Sequence, residues 1–214
     1  MHTEKSMIFV LDTSLFTDNR LKDSFLALTT EEALDKLAKL LEQARILIGP
    51  VFYTTPTVQT ELRRILLSSG IPVDIVSRLE AWIIPKSPDK FSLNIPSIVM
   101  WEYIMEMRRR YVKTLKISED FLKKCCSDKK DIGKLIHELR EKFRETIRKG
   151  IIDSPEDFDV LLLAFELKGV IVSNDEGIKK LGRTLGIITL DSQSFVETLK
   201  RLVEAFQRYL PKEQ

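Results

Sequence analysis

Cysteine, histidine and glycine are all scarce in this chain of 214 residues, and each scarcity argues against a class of protein. The two cysteines, Cys125 and Cys126, are adjacent, so they offer neither a disulfide framework nor the ligand spacing of a zinc site. With only two histidines, His2 and His137, neither a histidine-dependent metal centre nor a serine–histidine triad is expected. The eight glycines never cluster into a phosphate-binding loop. If the chain is an enzyme, its polar chemistry must come mainly from carboxylates.

Long apolar runs are also missing. No run approaches the ~20 residues that a membrane-spanning helix needs, and the first residues lack the apolar core of a secretory signal. Together with the two adjacent cysteines, this pattern predicts a protein of the reducing cytoplasm that has no membrane partner. A hydrophobic content of 43% suits one elaborated domain, or a domain with a large insertion.

Charge is unevenly distributed, although the net charge is only +2. Residues 101–150 contain 15 Lys and Arg against nine Asp and Glu, whereas the remainder contains 19 basic and 23 acidic residues. A basic middle within a mildly acidic body indicates a polyanionic partner. A solvated helical surface explains the same charges, and on charge alone it is the better supported of the two interpretations.

The hydrophobic pattern predicts an α/β fold. The apolar run at 7–11 is typical of a buried parallel strand, and strands and helices alternate towards the end of the chain. We therefore expect right-handed crossovers onto a parallel sheet with helices on both faces. The predicted strands are 7–11, 46–48, 170–173 and 187–190; the predicted helices outside the middle region start near residue 30 and cover 56–67, 73–82, 155–167, 176–185 and 194–209.

The middle region, 98–149, is predicted to be almost entirely helical. Apolar residues recur at four-residue spacing over 99–111 and again over 135–147. The segment 118–130 is short, so the two helices are expected to form an antiparallel hairpin. The second helix also carries a neighbouring stripe of three arginines, Arg140, Arg144 and Arg148.

Acidic residues stand where a parallel sheet would gather them. Asp12 closes the first predicted strand and Asp175 follows the strand at 170–173, and such sheets bind ligands at the carboxyl ends of their strands. Asp153, Asp157 and Asp159 lie at the start of the 155–167 helix, where their position relative to that edge depends on the topology. Carboxylates gathered without basic partners repel one another unless they bind cations, and oxygen ligands suit Mg²⁺ or Mn²⁺.

Several of the acids also have a purely structural interpretation. With Ser154 as the N-cap, Asp157 occupies the N3 position of a capping box, so capping explains it as well as metal binding does. Asp153 fits a turn residue equally well, and Asp191 is interpreted as an N-cap alone. Asp159 lies past the first cap positions, so capping does not explain it.

Four stretches resemble the PIN-domain nucleases in order and spacing: FVLDTSLF, TPTVQTEL, DSPEDFDVLLLAFEL and VIVSNDEG. Two stretches that include the inserted region make the resemblance more specific. KFSLNIPSIVMWEYI and ELREKFRETIRKGIIDSPEDFDVLLLAFEL resemble the HARP family, which comprises the small protein-only ribonuclease P enzymes homologous to the Aquifex enzyme and was formerly labelled RNA ligase partner proteins. The resemblance runs from about Phe9 to Leu190.

The resemblance implies a PIN-like parallel sheet with flanking helices, formed by residues 6–90 and 151–210, and an inserted helical hairpin, 91–150, for RNA recognition, oligomerisation or both. It implies a metal-dependent endoribonuclease that removes the 5′ leader from precursor tRNA and leaves a 5′-phosphate, with Mg²⁺ or Mn²⁺ as cofactor. It also implies homo-oligomers, in which dimers assemble into larger rings. The alternatives are a toxin-like PIN endoribonuclease with another RNA substrate, or a non-catalytic RNA-binding partner protein.

The family's site residues are carried over position by position. The implied catalytic set is Asp12, Asp153, Asp157, Asp159 and Asp175, of which all except Asp153 are assigned as metal ligands. Possible additional members are Thr13, Ser14 and Glu61. The candidates for binding RNA are Arg108, Arg109, Arg110, Arg140, Lys142, Arg144 and Arg148. Contact with a neighbouring subunit is an equally good interpretation for some of these basic residues.

Overall fold

The structure is a computed structural model, and it describes residues 6–127, 132–148, 152 and 154–209. Its elements in chain order are β1 (Ile8–Leu11), α1 (Ser14–Thr17), α2 (Arg20–Phe25), α3 (Thr30–Leu47), β2 (Val51–Thr54), α4 (Pro56–Ser68), α5 (Val73–Trp82), β3 (Ile83–Pro85), α6 (Ile98–Ser127), α7 (Ile132–Arg148), α8 (Pro155–Leu167), β4 (Val170–Val172), α9 (Glu176–Thr184), β5 (Thr189–Leu190) and α10 (Ser192–Tyr209). Among the helices so described, none is long and apolar enough to cross a membrane.

The five strands form one parallel sheet in the order β3-β2-β1-β4-β5. β1 is central, and Phe9 lies opposite Phe52 of β2 on one side and Val170 of β4 on the other. The chain builds outward through β2 and β3 and then returns to β4, so the strand order reverses between β1 and β4. In open parallel sheets a ligand crevice lies at such a reversal, beyond the carboxyl ends of the strands. The predicted α/β fold is confirmed.

Alternating side chains of β1 divide the core into two parts, because successive residues of a strand face opposite sides of the sheet. Phe9 and Leu11 pack with Phe52 and with Phe195 of α10, and helices α2, α3 and α5 complete this side. Val10 faces the other side, where α8 and α9 supply the buried residues. Helices therefore cover both faces of the sheet, as its parallel strands require.

Helices α6 and α7 pack against each other, as expected of a hairpin. The expectation that 118–130 connects them is wrong in part, because α6 continues to Ser127 and spans 30 residues. Phe121 explains the extension. Its ring is only 5% exposed, with the ammonium groups of Lys124 and Lys142 at 5.3 Å and 5.4 Å from its centroid, so this turn of α6 is anchored by packing.

Short elements account for the other wrong expectations. Residues 46–48 are not a strand, since α3 runs to Leu47 and the strand of that region is β2. β3 lies in what the sequence suggested was a connector, and α1 and α2 were not predicted. Elements of six residues or fewer contain too few positions for a hydrophobic pattern to be recognised. The strands β2 and β3 are stabilised by pairing with neighbouring strands of the sheet.

Candidate active site

Asp12 lies one residue beyond β1, at the crevice between β1 and β4, and its backbone N–H donates to the carbonyl of Val172 at 3.0 Å. Its side chain is buried, with 4% exposed. Oδ2 accepts hydrogen bonds from Ser14 Oγ at 2.5 Å, Ser14 N at 3.3 Å and Ser173 Oγ at 2.8 Å. These three bonds all reach Oδ2, and the backbone of Thr13 also donates to the carboxyl group.

Burial raises the pKa of the Asp12 carboxyl above its usual value, and the hydrogen bonds from Ser14 and Ser173 offset this only in part. Within the described part of the chain, no lysine or arginine forms an ion pair with Asp12. A buried carboxylate is costly unless a charge or enough hydrogen bonds compensate it. The environment of Asp12 is therefore one that a bound cation would complete.

A network of hydroxyl and amide groups connects the ends of β1 and β4. Asn174 donates from its backbone N–H to Ser14 Oγ at 2.8 Å and from Nδ2 to the carbonyl of Ser14 at 3.1 Å. Nδ2 also contacts Ser192 Oγ at 2.5 Å, and the hydroxyls of Ser14 and Ser173 are 3.2 Å apart. Ser173, Asn174 and Ser192 were not among the predicted site residues. The available signal for the first two was their position directly after β4.

Asp175 N-caps α9. Its Oδ1 accepts from the backbone N–H of Ile178 at 2.9 Å, and its own N–H donates to Ser173 Oγ at 3.0 Å. Oδ2 of Asp175 accepts no hydrogen bond from the described residues. Because Ser173 Oγ contacts both Asp12 and the backbone of Asp175, the two acids are held at the same edge of the sheet.

Glu61 reaches the same edge from α4. Thr13, the residue after Asp12, donates from Oγ1 to Glu61 Oε2 at 2.9 Å. Glu61 and Asp157 both line a groove of about 710 Å³ between the starts of α4 and α8, here called the acid groove. The acid groove is lined by Pro56, Thr57, Thr60, Glu61, Arg64, Ser154, Glu156 and Asp157.

Asp157 and Asp159 diverge, as two residues about 200° apart around a helix must. Asp157 is at N3 of α8, where its N–H donates to Ser154 Oγ at 3.0 Å, so Ser154 is confirmed as the N-cap. Asp159 instead forms an ion pair with Lys90, whose Nζ is 2.6 Å from Oδ1 and 2.8 Å from Oδ2. Asp159 does not line the acid groove. Asp153 lies outside the described residues.

Contacts thus connect Asp12, Asp175, Glu61 and Asp157 along one edge of the sheet. Within the described ranges, no three His, Cys, Asp or Glu side chains are placed so that they could hold a metal ion. The donors that are present, carboxylate and hydroxyl oxygens without histidine or cysteine, nevertheless have the chemistry that Mg²⁺ and Mn²⁺ prefer.

Of the basic residues of the hairpin, Arg110 differs from the rest. It is only 6% exposed, and it donates from Nη1 to the carbonyls of Thr146, at 2.9 Å, and Ile147 at the end of α7. Its Nε donates to Glu106 Oε1 at 3.1 Å. Its guanidinium is thus used to hold α6 against α7, which does not favour its predicted contact with RNA.

The other predicted RNA-binding residues whose side chains are described are exposed: Arg108, Arg109, Arg140, Lys142 and Arg144. Arg109 and Lys142 line a groove of about 460 Å³ between α6 and α7, together with Lys113, which was not among the predicted residues. Arg144 pairs with Glu141 at 2.8 Å. The side chain of Arg148 lies outside the described residues.

The chain matches the family model described as PINc domain ribonuclease over residues 8–204. It belongs to this family. It is 36% identical over 210 residues to the RNA-free ribonuclease P of Hyperthermus butylicus, covering 92% of this chain and 88% of that protein. It is 38% identical over 201 residues to the RNA-free ribonuclease P of Ignicoccus hospitalis, covering 94% of this chain and 98% of the relative.

The RNA-free ribonuclease P of Pyrococcus horikoshii is 37% identical over 201 residues, covering 94% of this chain and 95% of that protein. Relatives of this identity and coverage confirm the resemblance to the protein-only ribonuclease P family. This PIN-domain chain is therefore an endoribonuclease.

Proposed function

We propose that this PIN-domain ribonuclease removes the 5′ leader of precursor tRNA by metal-dependent hydrolysis and leaves a 5′-phosphate on the tRNA. The observation that carries the proposal is the buried Asp12 carboxylate at the crevice of the sheet, which no described lysine or arginine neutralises. The relatives named RNA-free ribonuclease P supply the substrate, because precursor tRNA is what a ribonuclease P cleaves.

The proposed ligands of Mg²⁺ or Mn²⁺ are Asp12, Asp157, Asp159 and Asp175, with Asp153 as a further catalytic acid and Thr13, Ser14 and Glu61 as possible additional members. Such an ion, when bound, would lower the pKa of a water nucleophile and stabilise charge on the leaving oxygen. Ser14 and Ser173 hold the Asp12 carboxylate by Oδ2, and the cap bond of Asp175 orients its carboxylate in the same way. Asp159 would have to exchange Lys90 for the cation.

Water as the nucleophile gives 5′-phosphate and 3′-hydroxyl ends without a covalent intermediate. Phosphate chemistry of this kind does not read sequence, so recognition has to come from elsewhere. We assign it to the hairpin insertion, 91–150, as distinct from the nuclease domain formed by 6–90 and 151–210. The exposed basic residues on α6 and α7 support contact with the tRNA backbone at a distance from the cut, a recognition of shape.

The hairpin also supports self-association into dimers and larger rings. Tyr111, Val112, Leu115 and Leu122 of α6 are 57–66% exposed and define what is here called the apolar stripe. Contiguous apolar surface on a chain of this kind marks an interaction site. The solution molar mass of the chain tests this part of the proposal, and a monomer at all concentrations would contradict it. The cytoplasmic location remains a prediction from the sequence.

The deciding experiment incubates the chain with a 5′-labelled precursor tRNA, with Mg²⁺ and with EDTA. We expect a leader of the correct length, released only when the metal is present, and a mature tRNA that carries a 5′-phosphate. Cuts at other positions, or equal cleavage of an unrelated RNA of the same length, would indicate a toxin-like ribonuclease. Binding without any cleavage would indicate a non-catalytic partner protein.

A further inference from the structure

A second cavity lies beside the acid groove, where the starts of α6 and α8 meet α9. Its volume is about 370 Å³, and it is here called the apolar pocket. It is lined chiefly by Val99, Met100, Tyr103, Pro155, Phe158 and Leu181. None of its lining residues in the described part of the chain carries a charge.

The first turn of α8 separates the apolar pocket from the acid groove. Ser154, the N-cap of α8, lines both cavities. Asp157 lines the acid groove and the next residue, Phe158, lines the apolar pocket. Consecutive helical residues are about 100° apart, so this turn forms a ridge with carboxylates on one side and apolar side chains on the other.

We propose that the apolar pocket binds one base of the unpaired leader, next to the phosphate that is cut. The proposal rests on the proposed function, since it names where a part of the same substrate lies. Under the proposed function the scissile phosphate lies against the acids of the sheet edge, of which Asp157 lines the acid groove, so the uncharged aromatic bases must lie elsewhere. Proteins bind unpaired bases by stacking them on aromatic side chains, which is the chemistry that the apolar pocket offers.

Two aromatic rings provide the binding surface. Phe158 is partly buried and packs against the core on the α8 side of the sheet, so its ring is fixed in place. Tyr103 is 44% exposed, and its hydroxyl makes no hydrogen bond with the residues that the structure describes, so its ring is available for stacking. The volume of about 370 Å³ leaves room for a single aromatic base.

The rival occupant is an apolar side chain of a second copy of the chain. The geometry favours the base, because the apolar pocket opens beside the acid groove and Ser154 lines both cavities. Tyr103 precedes Tyr111 of the stripe by eight residues, which turns it about 80° around the helix, whereas Met100 precedes Tyr111 by eleven residues and lies about 20° from it. The pocket thus borders the stripe, and the solution molar mass of the Tyr103→Ala variant separates the two occupants.

The test measures single-turnover cleavage of precursor tRNAs in which each of the last three leader nucleotides in turn is abasic. We expect wild-type protein to cleave one of these substrates at least about fivefold more slowly than the intact one, the lower end of what one stacked base contributes. Tyr103→Ala should cleave the intact substrate slowly and should show no further loss with that abasic substrate. Tyr103→Phe, which keeps the ring, should retain the sensitivity to that abasic substrate that Tyr103→Ala loses. Tyr209→Ala, which removes an 88% exposed tyrosine of α10, should behave as wild type.

Three results would overturn the inference while leaving the proposed function intact. Wild-type protein that cleaves the intact and all three abasic substrates equally fast binds no leader base. Tyr103→Ala that remains as sensitive to the abasic position as wild type places the base elsewhere. A lower solution molar mass for Tyr103→Ala would make the apolar pocket a subunit contact. If wild-type protein fails to cut even the intact substrate, the proposed function fails and the inference with it.

Discussion

The edge of the sheet and the helical hairpin differ in how far their side chains are buried and held by other residues of the same chain. At the sheet edge, Asp12 is 4% exposed and Ser14 and Ser173 of the same chain hold its carboxylate. In the hairpin, Tyr111 is 61% and Leu122 66% exposed, with polar and basic side chains on the surface around them. The acid at the sheet edge is therefore positioned by its own chain, whereas the hairpin leaves apolar side chains exposed beside basic ones.

The hairpin and the sheet edge also differ in the free energy that each leaves available for binding. Burying a leucine side chain stabilises by about 1.5–3 kcal/mol relative to leaving it in water, and the hairpin leaves that free energy available for association. The buried charge of Asp12 works in the opposite direction, because it costs free energy in the folded chain until a cation compensates it. These opposite balances fit the proposed function, in which the hairpin binds a macromolecule and the sheet edge binds a small cation.

The largest expected effect comes from removing the charge at the sheet edge. Asp12→Asn keeps the size of the side chain but removes a proposed metal ligand, so cleavage of precursor tRNA should fall by more than about 100-fold, beyond what loss of an outer-shell partner costs. RNA affinity should be nearly unchanged, because the hairpin is intact. Single-turnover cleavage and a filter-binding assay measure the two quantities.

Asp191→Asn is the matched control for this change. Asp191 also follows a strand, but its Oδ1 caps α10 by accepting from Ser194 N at 2.8 Å, and no catalytic role is proposed for it. We expect this variant to cut at nearly the wild-type rate. Wild-type activity for Asp12→Asn in the presence of Mg²⁺ would contradict the proposed metal site.

Sequence pattern predicted the elements that are long or that end sharply. α5 and α8 have the predicted bounds, because proline and an N-cap mark their starts and a full apolar face follows. Asp12 and Asp175 were predictable as neighbours because parallel strands end at one edge of the sheet. The strands β2 and β3 were not, since pairing within the sheet rather than their own pattern stabilises them.

The side-chain contacts of the site could not be predicted from the sequence pattern. Lys90 pairs with Asp159 across 69 positions of sequence, and Ser173 reaches Asp12 across 161. Arg110 looked like its neighbours in the run of three arginines, yet the helix rotation buries it against the end of α7. Such contacts depend on how elements pack, which a single sequence does not show.

A smaller effect is expected from the hairpin. Replacing Arg140, Arg144 and Arg148 together by alanine should weaken RNA binding and reduce the slope of log affinity against log salt by about 0.7–0.9 for each phosphate that the variant no longer neutralises. The control replaces Lys39, Arg201 and Arg208, three exposed basic residues of the nuclease domain, by alanine and should leave the slope unchanged. If the hairpin variant keeps the wild-type slope but changes molar mass, these arginines serve the subunit contact instead.

The smallest expected effect is on the stability of Asp12→Asn, which should rise although the activity of this variant is lost. Burial raises the pKa of Asp12 in the folded chain, so the folded state holds that proton more tightly than the unfolded state does. Stability is then lost as the pH rises from the ordinary carboxyl value, 3.8, through the raised one, and at pH 7 the chain bears the whole cost.

In EDTA at pH 7, Asp12→Asn should therefore melt a few degrees above wild type, since about 1 kcal/mol shifts the Tm of a chain of this size by roughly 2–4 °C. The amide oxygen of asparagine can still accept from Ser14 and Ser173, so the hydrogen-bond network is kept. The gain should disappear below pH 3.8, where both states of the wild-type chain carry a protonated Asp12. Added Mg²⁺ should raise the Tm of wild type alone, because only that chain keeps the ligand. A variant that melts below wild type at pH 7 in EDTA would mean that the serines already compensate the Asp12 charge, and that the sheet edge is complete without a cation.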